Sequence, residues 1–217
     1  MKRIIVIGEG PTEQRFCDSV LKPHFLNYRI SIENPKIKKS GGGMVSWPAL
    51  KRQIENYLFD PSVYVTLLID YYGIEDKHLL PHWNESLKIA DKNQRLAFLE
   101  TGMLADINEA GRYRFIPYIQ LHEFEGLLFC ELDAFDELYE QKEFKDYNYL
   151  LETINSTDNP EIINDGKETS PSHRLKRIFV KYSKTTNGID IAEMTGLEII
   201  RTKCPRFNEW ISKLEKV

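Results

Sequence analysis

Glu9, Asp70, Glu123 and Glu125 are the residues of this chain whose types and settings could do chemistry. Glu9 ends the stretch "IIVIGE", Asp70 ends "SVYVTLLID", and Glu123 and Glu125 close "FIPYIQLHEFE". Carboxylates gathered at one place repel one another. Unless a cation neutralises them, at least one must keep its proton. Mg²⁺ or Mn²⁺ is the usual remedy, since hard cations take oxygen ligands, often one or two carboxylates completed by water and phosphate. Such an ion polarises a phosphoryl oxygen and can activate water, so hydrolysis of a phosphodiester is the chemistry to expect. A single acid at a strand end is as readily a turn former or a helix cap. The pattern gains meaning only if three strand ends converge.

Glu123 and Glu125 need separating. If the strand that precedes them continues, they share a face. If a helix has begun, they point about 200° apart and only one can face the other acids. Glu13, three residues beyond Gly10, reads as a first-turn helix acid. His122 has two readings, a group that orients or deprotonates within the site and a satisfied, partly buried histidine. Cations gather late, in "PSHRLKRIFVKYSK", with Arg174, Lys176, Arg177, Lys181 and Lys184. A helix there could set them against a nucleic-acid backbone, a contact independent of base sequence. It could equally be a solvated amphipathic helix with Leu175, Ile178 and Phe179 inward. The "SGGG" loop at residues 40–43 is either a phosphate cradle of backbone N–H groups or a plain connection. There is no phosphate-binding G-x-x-x-x-G-K-[ST], and no G-x-S-x-G elbow. Position 13 is Glu where a dinucleotide fingerprint has its third glycine.

The elements that must position these residues follow from hydrophobic periodicity. Residues 4–7 are continuously apolar and predict a buried strand. Pro11 to Glu13 opens a helix, with Phe16, Val20 and Leu21 at helical spacing. A second strand is expected within 29–37 and a helix over 48–59. The strand that ends at Asp70 is the strongest in the chain. Residues 75–112 are mostly helical, with Leu96, Leu99, Met103, Leu104 and Ile107 as one stripe. A fourth strand ends near His122. A helix is expected from the spacing of Phe124, Leu127, Leu128, Leu132 and Phe135, and further helices over 144–154, 172–181 and 208–214. Strand and helix alternation of this kind predicts an α/β fold with a central, mainly parallel, four-stranded sheet flanked by helices. In such sheets ligands sit beyond the carboxyl ends of the strands, which is where Glu9, Asp70 and Glu123 are placed. Residues 1–130 are expected to form this core, with a helical insertion at about 75–112. Residues 131–217 are expected to be a C-terminal helical extension packed on it.

Bulk properties limit the partners. The 217 residues can bury a sizeable core. A formal charge of −4 is no global nucleic-acid footprint, so any phosphate contact must be local. Three widely spaced cysteines, Cys17, Cys130 and Cys204, without a C-x-x-C pair argue against a disulfide framework or a zinc site and for a reducing cytoplasm. The apolar run before Glu9 is too short for a signal-peptide core, and none is long enough to span a membrane.

"EGPTE", "LIDYYG" and "QLHEFEGLLF", followed by "NPEIINDGKETSPSHRLKRIF", "YSK" and "RTKCPRFNEWISKL", resemble the domain of unknown function family numbered 4276, over nearly the whole chain. The resemblance implies a Toprim-like fold, the metal-binding fold of topoisomerases, bacterial primases and nucleases of the overcoming-lysogenisation-defect type. It implies that Glu9 serves as general acid/base or metal ligand and Asp70 as a metal ligand. The Toprim pattern has a second aspartate two residues after the first. Here that position is Tyr72, which is left beside the metal with His122 rather than on it, and Glu123 or Glu125 would replace the missing ligand. The implied activity is Mg²⁺- or Mn²⁺-dependent cleavage of DNA or RNA. The alternative is a silent binding or regulatory module. Relatives with this fold are often encoded beside ATPases and tied to phage defence, so a partner ATPase is implied by analogy.

Overall fold

The computed structural model describes residues 1–38, 43–164 and 166–217. The first strand, β1 (Lys2–Gly8), leads into α1 (Pro11–Phe16), a π-helical turn (Cys17–Leu21) and α2 (Lys22–Asn27). Then come β2 (Ile30–Glu33), α3 (Trp47–Leu58) and β3 (Val63–Asp70). Two short helices, α4 (Trp83–Ser86) and α6 (Glu109–Arg112), flank the longer α5 (Lys92–Asp106). The fourth strand is in two pieces, β4 (Phe115–Ile116) and β5 (Ile119–Gln120). The remainder is helical: α7 (Asp133–Leu138), α8 (Tyr147–Asn155), α9 (Pro171–Ile178), α10 (Asn187–Lys203) and α11 (Pro205–Glu215).

The sheet is parallel throughout, in the order β2-β1-β3-β4, with β5 also paired to β3. This is the expected α/β architecture with flanking helices. The fourth strand breaks because Pro117 has no N–H for the ladder. Its second half is held from outside: the Ile119 N–H donates to Glu100 Oε1 at 2.8 Å, and Glu100 pairs with Arg206.

Side-chain alternation along β1 divides the core. Ile4 and Val6 face one layer with Phe16, Leu175, Ile191 and Trp210. Ile5 and Ile7 face the other with Leu50, Ile54, Leu96 and Leu99. All four β1 isoleucine and valine side chains are fully buried, at roughly 1.5–3 kcal/mol each. The C-terminal helices thus cover one face of the sheet together with α1 and α2, and α3 and α5 cover the other.

Three local expectations change. Phe124–Leu128 is a 3-10 turn rather than the start of a longer helix, and α7 follows separately. The basic helix ends at Ile178, because Phe179 is extended, so Lys181 and Lys184 lie beyond it. The helical segment α10, two helices joined at Gly196, is not predicted by periodicity. It carries Gly188 and Gly196, and at Gly196 the backbone turns to φ 75°, which breaks the regular spacing. Of the glycine-rich loop, residues 40–42 lie outside the described residues, so the phosphate-cradle expectation rests outside them too.

Candidate metal and phosphate site

Parallel pairing puts β1 and β3 side by side, with Gly8 opposite Leu68. Glu9 and Asp70 therefore emerge next to each other at the carboxyl edge. Glu9 Oε1 accepts the Asp70 backbone N–H at 2.9 Å. Asp70 Oδ1 accepts the Phe124 N–H at 3.0 Å, which ties the end of β3 to the turn that carries Glu123 and Glu125.

That turn resolves the two glutamates. Glu123 precedes it, with an extended backbone, and points to α9. Its two oxygens accept the Ser172 N–H at 2.9 Å and the Ser172 hydroxyl at 3.0 Å. Glu123 thus satisfies one of the orphan N–H groups at the start of α9. Glu125, inside the turn, is 1% exposed and meets Lys184 Nζ at 2.6 Å. Of the two glutamates, Glu125 is the one whose charge helps to raise Asp70.

Glu13 also belongs to this cluster. Its Oε2 accepts the Gly10 N–H at 2.7 Å, which closes the first turn of α1. A Cβ at position 8 would stand 2.7 Å from Glu13 Cβ, so Gly8 is what lets the acid fold back over the strand end.

The electrostatics are those of an under-compensated acid cluster. Burial first, then the Glu13 charge, push the Glu9 carboxyl up to about 7, against the opposing pull of the Asp70 N–H and Lys184. Asp70 is held well above the ordinary carboxylate range by burial, then by Glu9, Glu13 and Glu125. Burial also raises Glu13 and Glu125. Lys184 lowers all four. Burial disfavours its own ammonium, but Glu125, Glu123 and Asp70 outweigh that and raise its pKa.

The remaining predicted residues are placed as follows. Arg174 donates to the Thr169 carbonyl at 2.8 Å and to Tyr149 Oη at 2.8 Å. Arg177 lies 3.6 Å over the Tyr149 ring and pairs with Asp146 at 2.8 Å. These two tie α9 to α8, while Lys176 and Lys181 are exposed. Lys184 joins the acids, not a basic face. No periodicity could have revealed this, because it lies past the end of the helix. His122 is buried, in a left-handed backbone with φ 67°, and its carbonyl accepts the Tyr72 N–H at 3.1 Å.

Among the described residues, no group of three or more His, Cys, Asp or Glu side chains is arranged as a ready metal cage. The donor chemistry fits a more open site. One oxygen each of Glu9 and Asp70 is taken by a backbone N–H, which orients the carboxylate and leaves its second oxygen outside those bonds. Two such carboxylates, completed by water and phosphate, suit Mg²⁺ or Mn²⁺. The added charge would also relieve the mutual repulsion that raises these acids.

No helix among the described residues is long and apolar enough to cross a membrane. No curated protein and no solved structure matches the chain. Residues 8–215, from the end of β1 to the end of α11, match the model of the family described as Domain of unknown function (DUF4276), and the chain belongs to that family.

Proposed function

We propose that this protein hydrolyses phosphodiester bonds of DNA or RNA with Mg²⁺ or Mn²⁺ held by Glu9 and Asp70. The carrying observation is the hydrogen bond from the Asp70 N–H to the Glu9 carboxylate, inside a cluster where Glu13 raises Glu9 and where Glu9, Glu13 and Glu125 raise Asp70. The parallel sheet and the adjacency of β1 and β3 agree with the Toprim-like reading. When bound, the ion polarises a phosphoryl oxygen and lowers the pKa of water. Glu9 Oε1 is engaged by the Asp70 N–H, so Oε2 is the oxygen that would hold the ion, whose charge would draw the carboxyl below the value near 7 that burial gives it. Water oxygen would bond to phosphorus, its proton would pass to solvent, and the bond from phosphorus to the leaving oxygen would break. The leaving oxygen would take its proton from solvent. Lys184 favours the ionised form of Glu125, against the burial that raises its carboxyl, and offsets part of the negative field that would repel a phosphate.

Incubation of plasmid DNA and single-stranded RNA with the protein and Mn²⁺ tests the proposal. Cleavage by the wild type should fall by about 10²-fold or more in Glu9→Ala and in Asp70→Asn. Equal cleavage by a double variant would refute it. A second reading is a silent binding or regulatory module that works with a partner ATPase. The Lys184 contact on Glu125 and Tyr72 at the position of a second aspartate favour it. Divalent-ion binding without cleavage of either substrate would select that reading.

A further inference from the structure

A cleft of about 610 Å³ opens where β3 ends. Tyr71, Tyr72 and Trp83 give it three aromatic rings, and Lys92, His122 and Asn164 give it polar groups. Tyr71 and Tyr72 directly follow Asp70, so the cleft adjoins the acid edge. We infer that this cleft holds an unpaired nucleotide of the strand to be cut, its base on the aromatic rings and its phosphate against Lys92. The inference rests on the phosphodiesterase reading for which bond lies at Glu9 and Asp70.

Five observations carry it. Tyr72 is 45% exposed, an aromatic face presented to solvent beside a buried acid cluster. Tyr71 and Trp83 stand 6.2 Å apart with rings tilted by 46°, and Arg95 donates to Tyr71 Oη at 3.0 Å, which fixes that ring. Such rings take any base, because every base has a π-face. Lys92 Nζ lies 3.2 Å from His122 Nε2, and its ammonium has three donors, so others are available to a phosphate oxygen. Asn164 lies 3.2 Å from the other side of the His122 ring, and Tyr72 N–H is bonded to the His122 carbonyl, so the polar wall and the aromatic floor meet at His122. His122 holds φ 67°, a conformation sparsely populated by residues other than glycine and one that gathers at ligand sites.

The shape also selects among nucleic acids. A base stacked inside a duplex cannot lie on Tyr72 and Trp83 without leaving its neighbours, which costs a few kcal/mol. A single strand or a frayed end pays no such penalty. The cleft therefore favours single strands, with no base-specific readout.

Fluorescence anisotropy in EDTA tests this without cleavage. A labelled oligothymidylate, an oligouridylate and a blunt duplex of equal length serve as probes. Both single strands, or one of them, should bind wild type more tightly than the duplex, and the preferred sugar identifies the source. Tyr72→Ala should weaken binding roughly 5- to 150-fold, the range for loss of one stacked base, and Tyr72→Phe should not. Lys92→Ala should reduce the salt slope by about one ion. Tyr72 and Lys92 are exposed and Trp83 is half-buried, and matching melting curves would show that the variants fold. Unchanged binding by Tyr72→Ala and Trp83→Ala, absence of single-strand binding, or equal binding of the duplex would overturn the inference. Strand binding lost with Tyr72 in a protein that never cleaves would instead sink the phosphodiesterase reading and leave the cleft assignment standing.

Discussion

Replacing Glu9 by glutamine removes a charge that the fold holds at a cost. Burial and the Glu13 charge move the Glu9 carboxyl from 4.5 to about 7. Below pH 4.5 it is protonated in folded and unfolded chains alike. Between 4.5 and about 7 the unfolded chain releases the proton while the folded chain keeps it. The folded state then binds more protons, so stability falls as pH rises through that window, and above about 7 the loss is complete. At 1.36 kcal/mol per unit, that interval is worth about 3 kcal/mol. Glutamine keeps an oxygen able to accept the Asp70 N–H. It also relieves Asp70, whose carboxyl Glu9 helps to raise. In EDTA at pH 8, Glu9→Gln should raise Tm by roughly 6–12 °C, at 2–4 °C per kcal/mol for a chain of this size. At pH 4 the two proteins should melt together. Circular dichroism melts across this range measure the offset. A variant that melts at or below wild type at pH 8, or an offset constant with pH, would refute the reasoning.

Three further outcomes follow from the same contacts. Mg²⁺ or Mn²⁺ at a hundredfold excess over Kd should stabilise wild type at pH 8 by about 2.7 kcal/mol and leave Asp70→Asn unmoved, as read by melts with and without EDTA. Glu123→Ala should cost about 1–3 kcal/mol in urea unfolding, because the Ser172 N–H and hydroxyl lose their acceptors, whereas Glu123→Gln should recover part of that loss. Lys184→Ala should destabilise by on the order of 1–2 kcal/mol near pH 8, since Glu125 is left buried while the 44% exposed lysine was already partly screened. The loss should shrink as pH falls and Glu125, raised by burial, takes a proton.

The sheet was legible because β1 is a continuous apolar run and β3 is one broken only by Thr66, and a parallel sheet buried on both faces needs such runs. The acids at their ends were legible for the same reason: a charge closing a buried strand stands out. Glu123 and Glu125 were not separable in advance, since the answer depends on a 3-10 turn that begins at Phe124 and on a serine 49 residues away. Lys184 was grouped with its sequence neighbours, yet the chain leaves the helix at Phe179 and carries it to Glu125. Glu13 looked like a helix acid and is one, but Gly8 lets the same side chain lie over the strand end. The α10 helix escaped because its glycines and the turn at Gly196 interrupt the spacing that marks a helix. The cleft was invisible as well. Trp83, Lys92 and Asn164 come from three separate segments, and no local pattern brings them to Tyr72.

The account turns on whether the acids at the ends of β1 and β3 hold a divalent ion. Anomalous diffraction from crystals of the full chain grown with Mn²⁺ tests this directly. The expected result is a manganese peak bound by the carboxylates of Glu9 and Asp70, lost in Asp70→Asn. A crystal saturated with Mn²⁺ that shows no peak at these two residues would contradict it.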